Sequence, residues 1–100
     1  MQEGLKAAIR VPLTTMRLGD SAWDSMLAVA KYGNPASKSD VQVGARALEA
    51  GIWGAWQNVL INMNDIEDES FKTKVLEEAE HISQRARDNC AETLSLLDQR

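Results

Sequence analysis

The sequence predicts an all-α protein, a bundle of about three long helices, and three observations lead to that class. No run alternates Val, Ile or Thr with polar residues between turn signals, which is the pattern of a strand. Apolar residues recur instead at steps of three and four, the period of a helix that buries one face. Six glycines and two prolines interrupt the 100 residues at few places. The length fits a single domain.

The first helical stretch reaches to about residue 32. We expect a kink or a restart at Val11-Pro12, because proline removes a backbone donor and disfavours helical geometry in its predecessor. Asp20 and Asp24 lie one turn apart, and we expect water around them rather than a metal, since no histidine or third carboxylate is near. An apolar stripe follows the proline: Leu13, Met16, Trp23, Met26, Leu27 and Ala30.

A stop signal separates this stretch from the second helix. Residues 33–35 (Gly-Asn-Pro) combine a glycine at the helix end with a proline beyond it, which is the usual arrangement at a C-terminus. Either Ser37 or Ser39 can then cap the next helix, with Asp40 in its first turn. This helix is predicted to run to about Met63.

One face of the second helix carries almost no side-chain bulk. Together with Leu48 it holds Gly44, Ala47, Gly51, Gly54, Ala55, Asn58 and Asn62. No charge occurs from Ala50 to Met63, and a helix apolar nearly all round is a buried one. The segment is shorter than the ~20 apolar residues of a membrane span and is broken by amides, so we expect no membrane. Two other helices cannot enclose it, which predicts that a second copy or further N-terminal helices complete the core.

The third helix is expected to begin after Asp65 or Asp68 and to end close to the C-terminus. Its seam steps by three and four through Phe71, Val75, Ala79, Ile82, Ala86, Thr93 and Leu96, as in a narrow bundle. Glu77, Glu78 and Glu80 are predicted to form a solvated outer surface.

Composition and motifs exclude several classes of function. Eleven basic against 15 acidic residues leave a net charge of −4, which disfavours a binder of nucleic acid. Phosphate loops, zinc-ligand spacings and nucleophile elbows are missing from the sequence, so no metal site is expected. His81 and the single cysteine, Cys90, are predicted to be a surface residue and a packing residue. With one cysteine and no signal-peptide pattern in the first ten residues, a cytoplasmic protein is expected.

The asparagine pair on the bare face leaves two interpretations open. Asn58 and Asn62 lie one turn apart, and a buried amide without partners costs about 1–3 kcal/mol. The pair therefore belongs either to tight helix packing with amide-to-backbone bonds or to a face on which a flat polar ligand lies.

Four segments carry a resemblance to a known family. They are residues 11–13 (VPL), 33–41 (GNPASKSDV) and 54–62 (GAWQNVLIN) and the pair Asp65-Ile66. In order and spacing they closely resemble the cyclodeaminase domain of formiminotransferase-cyclodeaminase, which also occurs as a stand-alone folate cyclodeaminase or cyclohydrolase. Residues 1–100 resemble the C-terminal portion of that domain. An aspartate-bearing segment that the family has further toward the N-terminus has no match here.

The resemblance implies an all-helical, dimeric enzyme that converts 5-formiminotetrahydrofolate into 5,10-methenyltetrahydrofolate and ammonia in histidine degradation. Tetrahydrofolate is then part of the substrate, and no metal is implied. Asp40 is the candidate catalytic residue; Asn34 and Ser39 would orient the loop or the ligand, and Asn58 and Asn62 would bind pterin edges. The 100 residues alone are expected to be inactive. Two alternatives remain, a non-catalytic helical oligomerisation module and a methenyltetrahydrofolate cyclohydrolase.

Overall fold

Four α-helices and one 3₁₀ turn account for most of the chain. The structure is a computed structural model and describes residues 1–99. In chain order the elements are α1 (Gln2–Asp20), α2 (Trp23–Tyr32), the 3₁₀ turn (Pro35–Ser37), α3 (Lys38–Ile61) and α4 (Glu69–Asp98). No strand occurs within these 99 residues, so the all-α prediction is confirmed.

The helices form three rods that lie side by side, with α1 and α4 running in one direction and α3 in the other. Helices α1 and α2 follow one another as the first rod, α3 is the second and α4 the third. Helix α1 packs on α3 and α4, while α2 packs mainly on α4. The principal extents are 51 × 17 × 16 Å. A radius of gyration of 15.9 Å exceeds the ~13 Å typical of a compact domain of 100 residues, so the molecule is a slender bundle.

The core runs along the axis where the three rods meet. Fully buried side chains come from every rod, with Ile9 and Met16 from α1, Trp23 from α2, and Val59 from α3. Helix α4 contributes its predicted seam, of which the fully or nearly buried members are Val75, Ala79, Ile82, Ala86 and Thr93. Each rod therefore buries one stripe, as helical periodicity requires.

The break in the first rod is not at the proline. Helix α1 continues through Pro12, which is buried, and the chain turns only at Ser21, whose Oγ donates to the carbonyl of Leu18 at 2.6 Å. The predicted restart at Val11-Pro12 is therefore wrong. Pro12 leaves one carbonyl without its helical donor, that of Ala8. Ala8 is exposed, so water can take the place of that donor.

The ends of α3 and α4 lie close to the predicted positions. Ser37 is at the N-cap position of α3, but its side chain makes no capping hydrogen bond, and Ser39 lies inside the first turn. Helix α3 ends at Ile61, two residues before the predicted end. Asp68 caps α4, and its Oδ1 accepts a hydrogen bond from the backbone of Phe71 at 3.1 Å. Of the two aspartates considered for that cap, the structure therefore selects the second.

Helix α3 is covered on one side only. Val41, Ala45, Ile52, Ala55 and Val59 face the core. On the outer side Val43 is 69% exposed, Trp53 61% and Ile61 73%. The prediction that two neighbours cannot enclose this helix is confirmed for residues 1–99. Its wider form, a helix buried all round, does not hold within one copy of the chain.

Candidate functional site

The loop that was predicted to carry site residues is a short, well-defined connection between α2 and α3. Gly33 follows the last residue of α2 in an extended conformation. Asn34 then caps the 3₁₀ turn, because its Oδ1 accepts a hydrogen bond from the backbone of Ala36 at 2.9 Å. The carbonyl of Asn34 also accepts from the backbone of Ser37 at 2.9 Å. The amide of Asn34 therefore orients the loop, one of the two roles predicted for it.

Ser39 and Asp40 lie in the first turn of α3 and are both exposed. An acidic side chain there interacts favourably with the positive end of the helix dipole. Asp40 takes part in no ion pair with the other residues between 1 and 99. Its carboxylate is thus free to meet a ligand.

Asn58 and Asn62 line a groove between α1 and α3, which we call the α1–α3 groove. Asn58 is exposed, and Asn62 is half-buried with its Nδ2 donating to the carbonyl of Asn58 at 2.8 Å. Asn58 is therefore not a buried amide, and the cost of leaving such an amide unpaired does not apply to it. The rest of the groove is formed by Ala8, Val11, Pro12, Thr15, Gly51, Gly54 and Ala55, so the predicted bare face forms one of its walls.

The structure does not bring the two groups of predicted site residues together within one chain. Asp40 and Asn58 are both on α3, 18 residues apart, which is about 27 Å along the helix axis. Asn34 and Ser39 stay with Asp40 at one end, and Asn62 stays with Asn58 at the other. A single copy therefore holds the predicted site residues in two separate groups.

A second groove, between α3 and α4, was not singled out from the sequence. Trp53 and Trp56 face it from α3, and Ser83 and Arg87 from α4. Arg87 is held in place by donating to the Oγ of Ser83 at 3.1 Å and to the Oε1 of Gln84 at 2.7 Å. The one sequence signal for this groove was that two tryptophans interrupt an otherwise polar stripe of α3.

Two acidic side chains that were expected to be solvated are ion-paired across helices instead. Asp20 accepts a hydrogen bond from Arg85 Nε at 2.8 Å, and Glu78 accepts two from Arg17, at 2.5 and 2.7 Å. The hydrogen bonds from Arg17 lower the pKa of Glu78. Both pairs join the first rod to α4, which periodicity within one helix cannot reveal.

Two further side chains that could be reactive are the single cysteine and the single histidine. Cys90 is buried, its Sγ lies 3.6 Å from the carbonyl of Ala45, and burial raises the pKa of its thiol, so the predicted packing role is confirmed. His81 is exposed at the rim of the α3–α4 groove.

Residues 1–99 hold neither a metal-binding cluster nor a membrane-spanning helix. No cluster of three or more His, Cys, Asp and Glu side chains there has a geometry suited to a metal ion. Within the same residues, every helix is too short or too polar to span a bilayer.

Comparison with known proteins gives a consistent result. The family model of formiminotransferase-cyclodeaminase matches residues 1–81. The formimidoyltransferase-cyclodeaminases of Dictyostelium discoideum and Gallus gallus are 42% and 44% identical over 100 residues, covering the whole chain and 19% and 18% of their own lengths. A methenyltetrahydrofolate cyclohydrolase of Methylorubrum extorquens is 34% identical over 82 residues, which is 82% of this chain and 39% of the relative.

The chain spans about a fifth of the length of the first of these relatives. The match nevertheless includes all four segments on which the resemblance rested, the loop with Asp40 and the asparagine-rich end of α3 among them. The chain belongs to the formiminotransferase-cyclodeaminase family.

Proposed function

We propose that this chain forms part of a formimidoyltetrahydrofolate cyclodeaminase, an ammonia-lyase that closes 5-formiminotetrahydrofolate to 5,10-methenyltetrahydrofolate. The observation that carries the proposal is the pairing of two features on α3. An unpaired carboxylate stands at its start, and two amides line a groove at its end. Relatives named for this activity are 42% and 44% identical over 100 residues, a span that includes both segments.

The proposed reaction requires two things of its site, a proton for the leaving nitrogen and a negative charge beside the product. The folate N10 attacks the formimino carbon, a new C–N bond forms, and the former imino nitrogen leaves as ammonia after it is protonated. An acid in reach of that nitrogen speeds the step, and negative charge stabilises the methenyl cation that forms. Asp40 can serve both needs: its carboxylate takes the proton that N10 loses as the new C–N bond forms, passes it to the departing nitrogen as the old C–N bond breaks, and then stands beside the product cation.

The amides suit the other part of the substrate. A pterin ring presents alternating donors and acceptors on its edge, and an asparagine offers both kinds of group. The α1–α3 groove has a volume of about 670 Å³, within the roughly 300–1,000 Å³ of small-molecule sites. Asn58 and Asn62 therefore bind the pterin edge in this proposal, while Asn34 and Ser39 hold the loop beside the reacting carbon.

The proposal also covers the compartment, the cofactor use and the assembly of the enzyme. It acts in the cytoplasm, where a single cysteine stays reduced, and it uses the tetrahydrofolate substrate without a metal ion. More than one copy assembles, because the outer side of α3 exposes large apolar side chains. Since one copy keeps the two groups of proposed site residues about 27 Å apart along α3, the 100 residues by themselves are expected to show no turnover.

A chimera tests the function. In the Gallus gallus relative, the 100 matching residues are replaced by this chain, and methenyl absorbance and released ammonia are followed with 5-formiminotetrahydrofolate supplied. We expect turnover, and Asp40→Asn is expected to lower kcat by about 10²–10⁴-fold, the usual contribution of a general acid. Asp24→Asn, which removes another exposed acid, serves as the control and should leave kcat unchanged. An inactive chimera contradicts the proposal, and full activity of Asp40→Asn removes the role assigned to that residue.

A second candidate function is methenyltetrahydrofolate cyclohydrolase, which the relative from Methylorubrum extorquens favours. The same chimera separates the two, because a cyclohydrolase consumes methenyltetrahydrofolate and releases no ammonia. A third, a non-catalytic oligomerisation module, is favoured by the open side of α3. It is supported if the chimera assembles but turns over neither substrate.

A further inference from the structure

Helix α1 contains a proline in its interior, where this residue type weakens a helix. Pro12 lies inside the 19 residues of α1, with at least two turns of helix on either side of it. Proline is the least favourable residue at such a position, because its nitrogen carries no hydrogen and its ring crowds the preceding turn. Burial of the ring offsets part of this cost, but any apolar side chain of similar size would supply that burial.

The missing hydrogen leaves a backbone acceptor beside the α1–α3 groove. In an uninterrupted helix the N–H of residue 12 would donate to the carbonyl of Ala8. Ala8 and Pro12 both line the groove. Because a helical carbonyl points toward the residue four positions ahead, the oxygen of Ala8 lies between these two residues, on the face of α1 that borders the groove. Ala8 is exposed, so this oxygen can accept a hydrogen bond from a molecule in the groove.

The other polar groups of the groove are on different partners or on the opposite wall. Thr15 donates from its Oγ1 to the carbonyl of Val11 at 3.3 Å. Asn62 donates from its Nδ2 to the carbonyl of Asn58 at 2.8 Å, and both asparagines belong to α3. Hydrogen-bonding groups therefore face the groove from both walls, the amides from α3 and the carbonyl of Ala8 from α1.

The space between these walls suits a flat, uncharged molecule. Gly51 and Gly54 line the groove on the side of α3, and a Cβ built on either of them meets nothing within 4 Å. Within residues 1–99, no charged side chain lines the groove, so an uncharged ring fits it better than an anion does. A ring that lies along the glycines presents one edge to the amides and another to α1.

A backbone carbonyl is selective in a way that an asparagine is not. It only accepts hydrogen bonds, whereas an asparagine amide both accepts and donates. The carbonyl of Ala8 therefore requires an N–H on the ring edge that faces α1. The exocyclic 2-amino group of a pterin is such a donor, and pairing it with Ala8 fixes which edge of the ring faces which helix.

We propose that Pro12 is a specificity-determining residue: it frees the carbonyl of Ala8, and this carbonyl accepts a hydrogen bond from the 2-amino group of a pterin ring in the α1–α3 groove. The identity of the ring rests on the proposed function. The acceptor in the groove follows from the missing N–H of residue 12.

The first test measures binding of 5-formyltetrahydrofolate to the 100-residue chain by NMR titration, with the side-chain amide signals of Asn58 and Asn62 as reporters of the groove. Pro12→Val keeps an apolar side chain of similar size and restores the N–H. We expect its dissociation constant to rise about fivefold, the usual effect of one hydrogen bond. The 2-desamino analogue of the probe should distinguish the two chains poorly, because it lacks the donor. An equal ratio of affinities for both probes overturns the proposal.

The second test restores the acceptor without the proline. In Pro12→Val, α-hydroxyisovalerate at position 12 puts an ester oxygen in place of the N–H, so the carbonyl of Ala8 is freed again and affinity should return. The matched control is the same hydroxy acid at position 11, which frees the carbonyl of Ala7, a residue outside the groove. Each ester removes one helical hydrogen bond, so equal affinities of the two esters overturn the role of Ala8.

A stability measurement separates recognition from packing. Pro12→Val should be at least as stable as the parent chain toward urea, because it regains a helical hydrogen bond. Lower stability, together with lost affinity that neither ester restores, would assign Pro12 to packing and overturn the proposal.

The outcome is distinguishable from that of the proposed function. A parent chain that binds no 5-formyltetrahydrofolate overturns the role of Ala8, while turnover by the Gallus gallus chimera still supports the function. An inactive chimera contradicts the function, while fivefold weaker binding by Pro12→Val and its rescue at position 12 still support the role of Ala8.

Discussion

At the scale of single residues, the structure assigns cross-helix roles to side chains that the sequence presents as ordinary surface. Glu78 belongs to a run of acids on α4 that the sequence predicts to be a solvated face. The structure shows it bound by two nitrogens of Arg17. Asp20 is tied to Arg85 in the same way. Such partners are more than 60 residues away along the chain, so no local pattern identifies them.

The Arg17–Glu78 pair predicts a pH dependence of stability. Because hydrogen bonds from Arg17 lower the pKa of Glu78 below its ordinary 4.5, the pair stabilises the fold above that value, and the stabilisation is lost as the pH falls through the lowered pKa. Glu78→Gln should reduce the free energy of unfolding at neutral pH by about 1 kcal/mol or less, since the pair is partly exposed. The difference from the parent should vanish in acid. Chemical denaturation at several pH values measures it, with Glu80→Gln as the control; a difference that persists when both chains are fully protonated contradicts the assignment.

At the scale of elements, the helices follow local signals except in the first rod. Gly33 ends α2, and Asp68, one of the two aspartates considered, caps α4. In the first rod the sequence predicted a break at the proline. The structure has the break after Asp20 instead, where Ser21 bonds back to Leu18 and Asp20 is held by Arg85. Pro12 stays inside α1, where its ring is buried.

The crossing of α1 and α3 predicts opposite effects of one substitution at two glycines. A Cβ on Gly19 would lie 2.7 Å from Ile52 Cγ1, and Ile52 is 2% exposed in the core. Gly19→Ala should therefore destabilise the chain by roughly 1–3 kcal/mol, the usual cost of overpacking. Gly4→Ala meets open space and should be neutral or stabilising by up to about 1 kcal/mol. Urea denaturation measures both, and equal stability of the two variants would show that Ile52 moves aside freely.

At the scale of the whole molecule, the chain is a slender rod with one open side. Its buried stripes account for folding into a bundle, while Val43, Trp53 and Ile61 are exposed on the uncovered side of α3. Burial of apolar area stabilises a protein by about 25 cal/mol for each Å² removed from water. Covering this side of α3 would therefore stabilise the fold.

This coupling predicts that thermal stability depends on protein concentration. A partner that binds only the folded chain raises the melting temperature by mass action, so each tenfold increase in concentration should raise Tm by several degrees. Val43→Glu, which places a charge on the uncovered side of α3, should weaken the dependence, and Gly4→Leu, which faces open space on α1, should retain it. Circular dichroism melts over a wide range of concentration provide the measurement, and a Tm independent of concentration in the parent chain would contradict the coupling.

The sequence by itself determined the helical class, the loop at residues 33–40 and the family, and it narrowed the cap of α4 to Asp65 or Asp68, because each depends on spacing within one element or on a short motif. It also predicted that α3 lacks sufficient cover. The tertiary structure alone decided that the chain turns at Ser21, that Arg17 and Arg85 hold acids on other rods, and that Asp40 and Asn58 stand about 27 Å apart along α3. The periodicity of apolar residues shows which face of a helix is apolar. Only the packing of the rods decides whether that face is already covered or is left open.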